Sequence, residues 1–190
     1  QQRFAEYEDE LKWLYMELYS GRDEDYQNYV KMLREYCTER SPELKAWDRS
    51  KQEDPDWYKR NDLLGTMMYT ENFGKTLKGV ESRLDYLQEC GINFLHLMPL
   101  LESPEGKSDG GYSVSDFRKV QPQLGTMEDL SELTHACHKR NIQVCLDFVM
   151  NHTSDEHEWA KQAKAGDPYA QGRYFFFDNW DIPNQFEQTV

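Results

Sequence analysis

The sequence predicts an α/β fold, with a helical segment over residues 1–60 followed by a parallel sheet whose strands alternate with helices. Three observations carry this expectation. Apolar residues recur every three or four positions through residues 1–60, the period of an amphipathic helix. From residue 63 the pattern changes to nearly unbroken apolar runs separated by helical stretches, the pattern of a sheet covered on both faces. The last of these runs, Val144 to Met150, holds one carboxylate, Asp147, and ends in Asn151-His152.

Phe4, Tyr7, Leu11, Leu14 and Leu18 form one apolar stripe and predict a first helix, with Gly21 as its stop. Asp23 is placed to cap a second helix carrying Tyr26, Tyr29, Val30, Leu33 and Tyr36. Ser41-Pro42 reads as the cap and first residue of a third. The polar stretch from Arg49 to Asp62, with Pro55, reads as a linker or surface arm, which places a domain boundary near residue 60. Beyond it come a strand over 64–70, a helix over 77–89 ended by Gly91, and a strand over 92–101. A helix over 126–140, with Thr126 as cap and Asp129 three residues on, and a strand over 142–150 complete the pattern. A doubly wound sheet and a (β/α) barrel both fit. No G-x-G-x-x-G or G-x-x-x-x-G-K-[ST] motif follows any strand, so a nucleotide-binding reading is weak.

The bulk properties narrow the class. A net charge of −13 over 190 residues disfavours binding to nucleic acid, which needs clustered Lys and Arg. No apolar run approaches the length of a membrane span. Cys37, Cys90, Cys137 and Cys145 are dispersed without a C-x-x-C, which predicts reduced, buried thiols and a cytoplasmic setting. The chain starts at Gln1 and stops at Val190 without terminal features, as expected of part of a longer protein.

In both architectures ligands bind at the C-terminal ends of the strands. Two long polar loops fall there, one from Pro99 to Leu124 and one from Asn151 onward, far longer than the usual two to six residues. The first contains Lys107-Ser108-Asp109-Gly110-Gly111-Tyr112. Paired glycines permit a tight turn from which Asp109 and Tyr112 project, a carboxylate for sugar hydroxyls and a ring for the apolar face of a hexose. Asp147, within an apolar strand near its end, needs polar partners. Asn151 and His152 follow it, and Asp, four residues and Asn-His together are more specific than any member. Asn151-His152-Thr153 also matches a glycosylation sequon, with Asn151 expected buried at the strand end. His135 and His138 lack further ligands at metal-binding spacing.

These stretches resemble glycoside hydrolase family 13, the α-amylase superfamily, and within it the amylosucrase and sucrose hydrolase subfamily. Leu95-His96-Leu97-Met98-Pro99-Leu100 is similar to the second barrel strand, and Glu105 to Tyr112 to the loop that follows it in amylosucrases. Asp147-Phe148-Val149-Met150-Asn151-His152-Thr153-Ser154 is similar to the superfamily's first signature region. Glu156 to Ala160, Ala165 to Pro168 and Tyr174 to Phe177 are typical of the subfamily, as is a helical segment ahead of the barrel.

The resemblance implies a helical domain over 1–60, the first three units of a (β/α)8 TIM barrel over 61–150 and the start of a domain B insertion over 151–190. It implies that His152 hydrogen-bonds the glucosyl unit, that Asp109 closes the bottom of its pocket with a downstream Arg, and that Tyr112 is the stacking platform. Asp147 would support the site without being the nucleophile. Asn151 is a calcium ligand in many relatives, although amylosucrases generally do without that calcium, so no cofactor is expected. The implied activity is retaining glucosyl transfer from sucrose to an α-glucan or to water, with fructose release. The nucleophile and the acid/base would come from later strands, so the chain alone would be inactive. An α-glucosidase or α-amylase acting on α-glucans and a non-catalytic sugar-binding relative are the alternatives. Neither synthesis against hydrolysis nor the oligomeric state is legible.

Overall fold

The computed structural model describes residues 2–188 and divides into two compact units, Gln1–Lys59 and Arg60–Val190. In the first unit, helices α1 (Gln2–Leu18), α2 (Asp23–Glu39) and α3 (Pro42–Glu53) follow one another. Tyr26 and Val30 of α2 are buried, and the Tyr15 ring lies 5.4 Å from that of Tyr26 and 6.0 Å from that of Tyr29. The stripe predicted on α1 is only partly buried within this unit. Phe4 and Leu11 are half-buried, whereas Tyr7, Leu14 and Leu18 are exposed, because the contact with α2 runs through Tyr15 instead.

Asp23 does not cap α2. The chain turns at Gly21 (φ 75°), Arg22 takes the cap position without a side-chain capping bond, its guanidinium pairing with Asp25 instead, and Asp23, Glu24 and Asp25 occupy the first turn, where the helix dipole favours them. Ser41 caps α3 as predicted, accepting from the Leu44 amide, with Pro42 following. Half of the expected linker is helix: α3 continues through Glu53, and a short 3-10 turn, Trp57–Lys59, follows with the Lys51 ammonium 3.8 Å from the Trp57 ring centroid.

The second unit is built on a parallel sheet of β1 (Gly65–Met68), β2 (Phe94–Leu97) and β5 (Gln143–Leu146), in the order β1-β2-β5. Thr66, Leu95 and Val144 stand side by side, as do Met67, His96 and Cys145. Adjacent positions point to opposite faces of a sheet. One face, with Leu95 and Leu97 fully buried, packs on helices α5 (Leu77–Glu81), α6 (Leu84–Glu89) and α7 (Met127–His138) through Leu77, Val80, Leu84, Leu133 and Cys137. The other face carries Met67, His96 and Cys145.

The elements are shorter and more broken than predicted. The helix over 77–89 is two helices, interrupted where the Ser82 hydroxyl bonds back to the Gly79 carbonyl and Arg83 takes an i−3 carbonyl. The strand over 92–101 ends at Leu97: Pro99 has no N–H to extend the ladder, and Leu101–Glu102 (β3) pairs instead with Asp116–Val120 (β4) in a separate antiparallel sheet. The expected loop 99–124 therefore has a folded base, with Val114, Val120 and Leu124 buried. The strand over 142–150 ends at Leu146. Asp147 lies just past it, its amide still 3.4 Å from the Leu97 carbonyl, and Phe148 and Met150 beyond are exposed. Thr126 and Asp129 form a full capping box on α7. Of the cysteines only Cys137 is buried: Cys37 and Cys90 are exposed and Cys145 is intermediate, because the first two lie on solvent-facing positions of their helical segments. Among the described residues no helix is long and apolar enough to cross a membrane.

Helix α4 (Thr70–Phe73) runs into Gly74, where the chain passes within backbone contact of Gly79 on α5. A Cβ on Gly79 would overlap the Gly74 carbonyl oxygen, and one on Gly74 would overlap the Val80 amide. Backbone cannot move aside as a side chain can. Gly79→Ala is expected to destabilise the protein by about 1–3 kcal/mol, measured by denaturant unfolding, with Gly65→Ala, where an added Cβ meets only ordinary contacts from 3.5 Å outward, as a comparison lacking this clash.

Candidate active site

Three chain segments leave the sheet at the C-terminal ends of β1, β2 and β5, and polar residues at or beyond these ends converge. Asp147 is the centre. Its Oδ1 accepts from His96 Nε2 at 2.7 Å, and its Oδ2 accepts from the Tyr112 hydroxyl at 2.7 Å. An ionised carboxylate only accepts, so His96 Nε2 carries a proton. The Tyr112 carbonyl in turn accepts from His152 Nε2 at 3.0 Å, which leaves His152 Nδ1 as an acceptor for the Asn151 side-chain amide at 3.2 Å. The four predicted residues Tyr112, Asp147, Asn151 and His152 thus lie in one hydrogen-bonded chain.

Asn151 is exposed, contrary to the expectation of a buried strand end, because the strand stops at Leu146 and the chain has left the sheet by residue 151. Asp109 lies on the same loop as Tyr112, and its carbonyl accepts from the Tyr112 amide at 3.2 Å. Its side chain is exposed and makes no hydrogen bond among the described residues.

The loop bearing Asp109 and Tyr112 is held by its glycines. Gly110 (φ 60°) and Gly111 (φ 89°) are left-handed, a conformation that glycine adopts without strain. A Cβ on Gly110 would lie 2.5 Å from the Tyr69 hydroxyl, and one on Gly111 would lie 3.0 Å from Pro99 Cβ. Tyr69, the first residue past β1, therefore sits directly against the turn. Ser108 Oγ accepts from the Ser113 amide at 3.0 Å and closes the turn. Lys107 forms an ion pair with Glu156, and the Ser154 amide donates to the Val114 carbonyl at 2.8 Å, so this loop is tied to the segment after β5.

That segment folds into helices α8 (Glu158–Lys164), α9 (Pro168–Gln171) and α10 (Asp181–Glu187). His157 is buried and caps α8, with Nδ1 accepting from the Trp159 amide at 3.1 Å. Burial holds its pKa below the usual histidine value, with Asp116 and Glu158 opposing and Arg173 reinforcing the shift. The Arg173 guanidinium lies 4.8 Å from the Trp159 ring and 4.4 Å from the Tyr169 ring.

Sequence reasoning missed His96 and Tyr69. His96 had a signal, as a lone polar residue at an alternating position inside an apolar strand. Tyr69 had only its place at a strand end. At Asn151 the side-chain amide nitrogen is directed at His152, and among the described residues no three His, Cys, Asp or Glu side chains converge. His135 bonds the Ser131 carbonyl through Nδ1.

The alpha-amylase catalytic-domain family matches residues 19–189. The chain belongs to that family. Its three parallel strands are the opening of a (β/α)8 barrel, and the cluster lies where such barrels carry their active sites. The chain is 38% identical over 143 residues to a trehalose synthase of Pimelobacter sp. (strain R48), a match covering 73% of this chain and 24% of that enzyme. It is 51% identical over 83 residues to an oligo-1,6-glucosidase of Bacillus cereus, covering 44% of this chain and 14% of that enzyme. Among solved structures, a mutant of the isomaltulose synthase from Erwinia rhapontici in complex with D-glucose is similar with a TM-score of 0.58 at 34% identity, over 63% of this chain and 22% of that one. A mutant of MutB in complex with sucrose gives a TM-score of 0.58 at 34% identity, over 67% and 23%. The chain spans about a quarter or less of the length of these relatives.

The electrostatics follow from the contacts. The Tyr112 hydroxyl, and then His96, hold the Asp147 carboxyl below the usual carboxylate range against the opposing effect of burial. The same bond pushes the Tyr112 phenol up to about 12, because ionising it would set a second negative charge against Asp147. A folded-state pKa below the unfolded one stabilises above the unfolded value, and this contribution of Asp147 is lost as pH falls through its depressed value. For Tyr112, raised in the fold, the contribution is present below the ordinary phenol value of about 10 and lost as pH rises through about 12. In the full-length protein, spectrophotometric titration should therefore show one more tyrosine ionising near the ordinary value in Asp147→Asn than in the wild type. An unchanged titration would mean that the bond is absent.

Proposed function

We propose that this chain is the N-terminal part of a retaining α-glucosyl transferase or hydrolase of glycoside hydrolase family 13 that acts on sucrose in the amylosucrase manner, passing glucose to an α-glucan with release of fructose. The observation that carries the reading is the Tyr112 ring. It is 38% exposed while its phenol end is locked to Asp147 and its carbonyl to His152. A flat face fixed at one end and open at the strand ends is what stacking on a hexose needs. Asp109 beside it, on the same turn, offers a free carboxylate for sugar hydroxyls. The Lys107 to Tyr112 stretch and the helical unit ahead of the barrel favour the amylosucrase type, and the sucrose complex of the similar MutB structure supports the substrate class.

In this reading Asp147 supports and does not attack, since both of its oxygens are engaged inside the protein. The nucleophile and the acid/base of the retaining mechanism are supplied by barrel strands beyond the three present here. His152 borders the pocket with its tautomer set by Tyr112 and Asn151. The region 151–190 is the start of the insertion that walls the site after the third strand.

A second reading is hydrolysis of α-1,6-linked glucosides, favoured by the 51% identical stretch shared with the oligo-1,6-glucosidase. The full-length enzyme given sucrose and an isomalto-oligosaccharide in parallel separates the two. Fructose release from sucrose is expected, and turnover of the α-1,6 substrate alone would favour the second. Asp109→Ala and His152→Ala are each expected to lower sucrose turnover by about 10²-fold. If both leave turnover intact, the pocket is assigned to the wrong residues.

A further inference from the structure

We infer that His96 is a positioning residue of this pocket: by holding Asp147 Oδ1 it fixes the carboxylate that anchors the Tyr112 hydroxyl, and so sets the attitude of the Tyr112 ring toward the sugar. The inference rests on the reading of the site given above and deepens it.

His96 stands on β2 between Leu95 and Leu97, which are fully buried against the helices, so its imidazole lies on the opposite face with Met67 and Cys145 as register neighbours. That face becomes the interior of a (β/α)8 barrel, which is filled chiefly by bulky branched apolar side chains. A polar group there is costly unless it is hydrogen-bonded, and the partner of His96 is Asp147, 2.7 Å away.

The main chain does little to orient that carboxylate. Asp147 lies beyond the last ladder pair, Leu97 with Leu146, and its amide reaches the Leu97 carbonyl only at 3.4 Å. The direction of its side chain is therefore set by the two bonds it accepts, one from a residue on the neighbouring strand and one from Tyr112. His96 is the rigid member of that pair, because it is carried by a central strand with hydrogen-bonded neighbours on both sides. Tyr112 is the adjustable member, on a turn of two left-handed glycines. Orientation thus passes from the sheet through His96 to Asp147, then to Tyr112, and through the Tyr112 carbonyl to His152.

The test is steady-state kinetics of the full-length enzyme on sucrose with His96→Phe, His96→Gln, Tyr112→Phe and the double variant His96→Phe/Tyr112→Phe. His96→Phe fills the same space without a donor and is expected to lower kcat/KM by about 10²-fold. His96→Gln keeps an N–H donor and should recover most of that loss. The double variant should be no worse than the poorer single variant within about threefold, since both substitutions break one chain of contacts. Wild-type kcat/KM in His96→Phe, no recovery in His96→Gln, or multiplicative losses in the double variant would each overturn the inference. If the wild type turns over no α-glucoside, the functional reading fails instead. The His96 contact is then judged by the imidazole N–H proton resonance of the full-length protein. It should be present in the wild type and lost in Asp147→Ala, and its persistence in Asp147→Ala would overturn the contact.

Discussion

The arrangement of this site depends on one carboxylate placed just beyond the end of a parallel strand with both oxygens engaged. Asp147 is half-buried, and a charge in that position must be satisfied by donors. It finds one donor inside the sheet, His96, and one on a loop, Tyr112. Because the two donors come from different levels of the structure, satisfying the charge also docks the loop onto the sheet. The Tyr112 ring, the turn bearing Asp109 and the tautomer of His152 all follow from that docking.

The fold supplies what this needs. The helix-covered face is closed by Leu95, Leu97 and the apolar sides of α5, α6 and α7, which leaves the C-terminal ends of the strands, where the loops converge, for chemistry. The loop after β2 is long yet tethered, through the antiparallel β3–β4 pair at its base and through its contacts with the segment after β5 at its tip. Length gives the loop reach over the strand ends, and the tethers give it a defined shape. A loop of this length without such ties would lose much of any binding energy to ordering.

Much of this was legible in the sequence, for identifiable reasons. Asp147, Asn151 and His152 stood out because polar residues interrupt or end an apolar run, and Tyr112 and Asp109 because paired glycines mark a constrained turn. All except the Asp109 side chain join one hydrogen-bonded chain. That the sheet is parallel followed from strands alternating with helices. What was hidden depends on contacts between segments distant in sequence. His96 sits inside an apolar strand and gains its meaning only when Asp147, on the neighbouring strand, is brought beside it. Likewise β3 exists only because β4 returns to pair with it. The exposed face of α1 shows the converse: periodicity reported an apolar stripe correctly but not how much of it this unit covers.

The most direct test of the account is a crystal structure of the full-length protein with sucrose or glucose bound. The account predicts a hexose ring laid over the Tyr112 face, with Asp147 still accepting from both His96 and the Tyr112 hydroxyl. A sugar bound away from Tyr112, or one that takes the Asp147 oxygens from His96 and Tyr112, would contradict it.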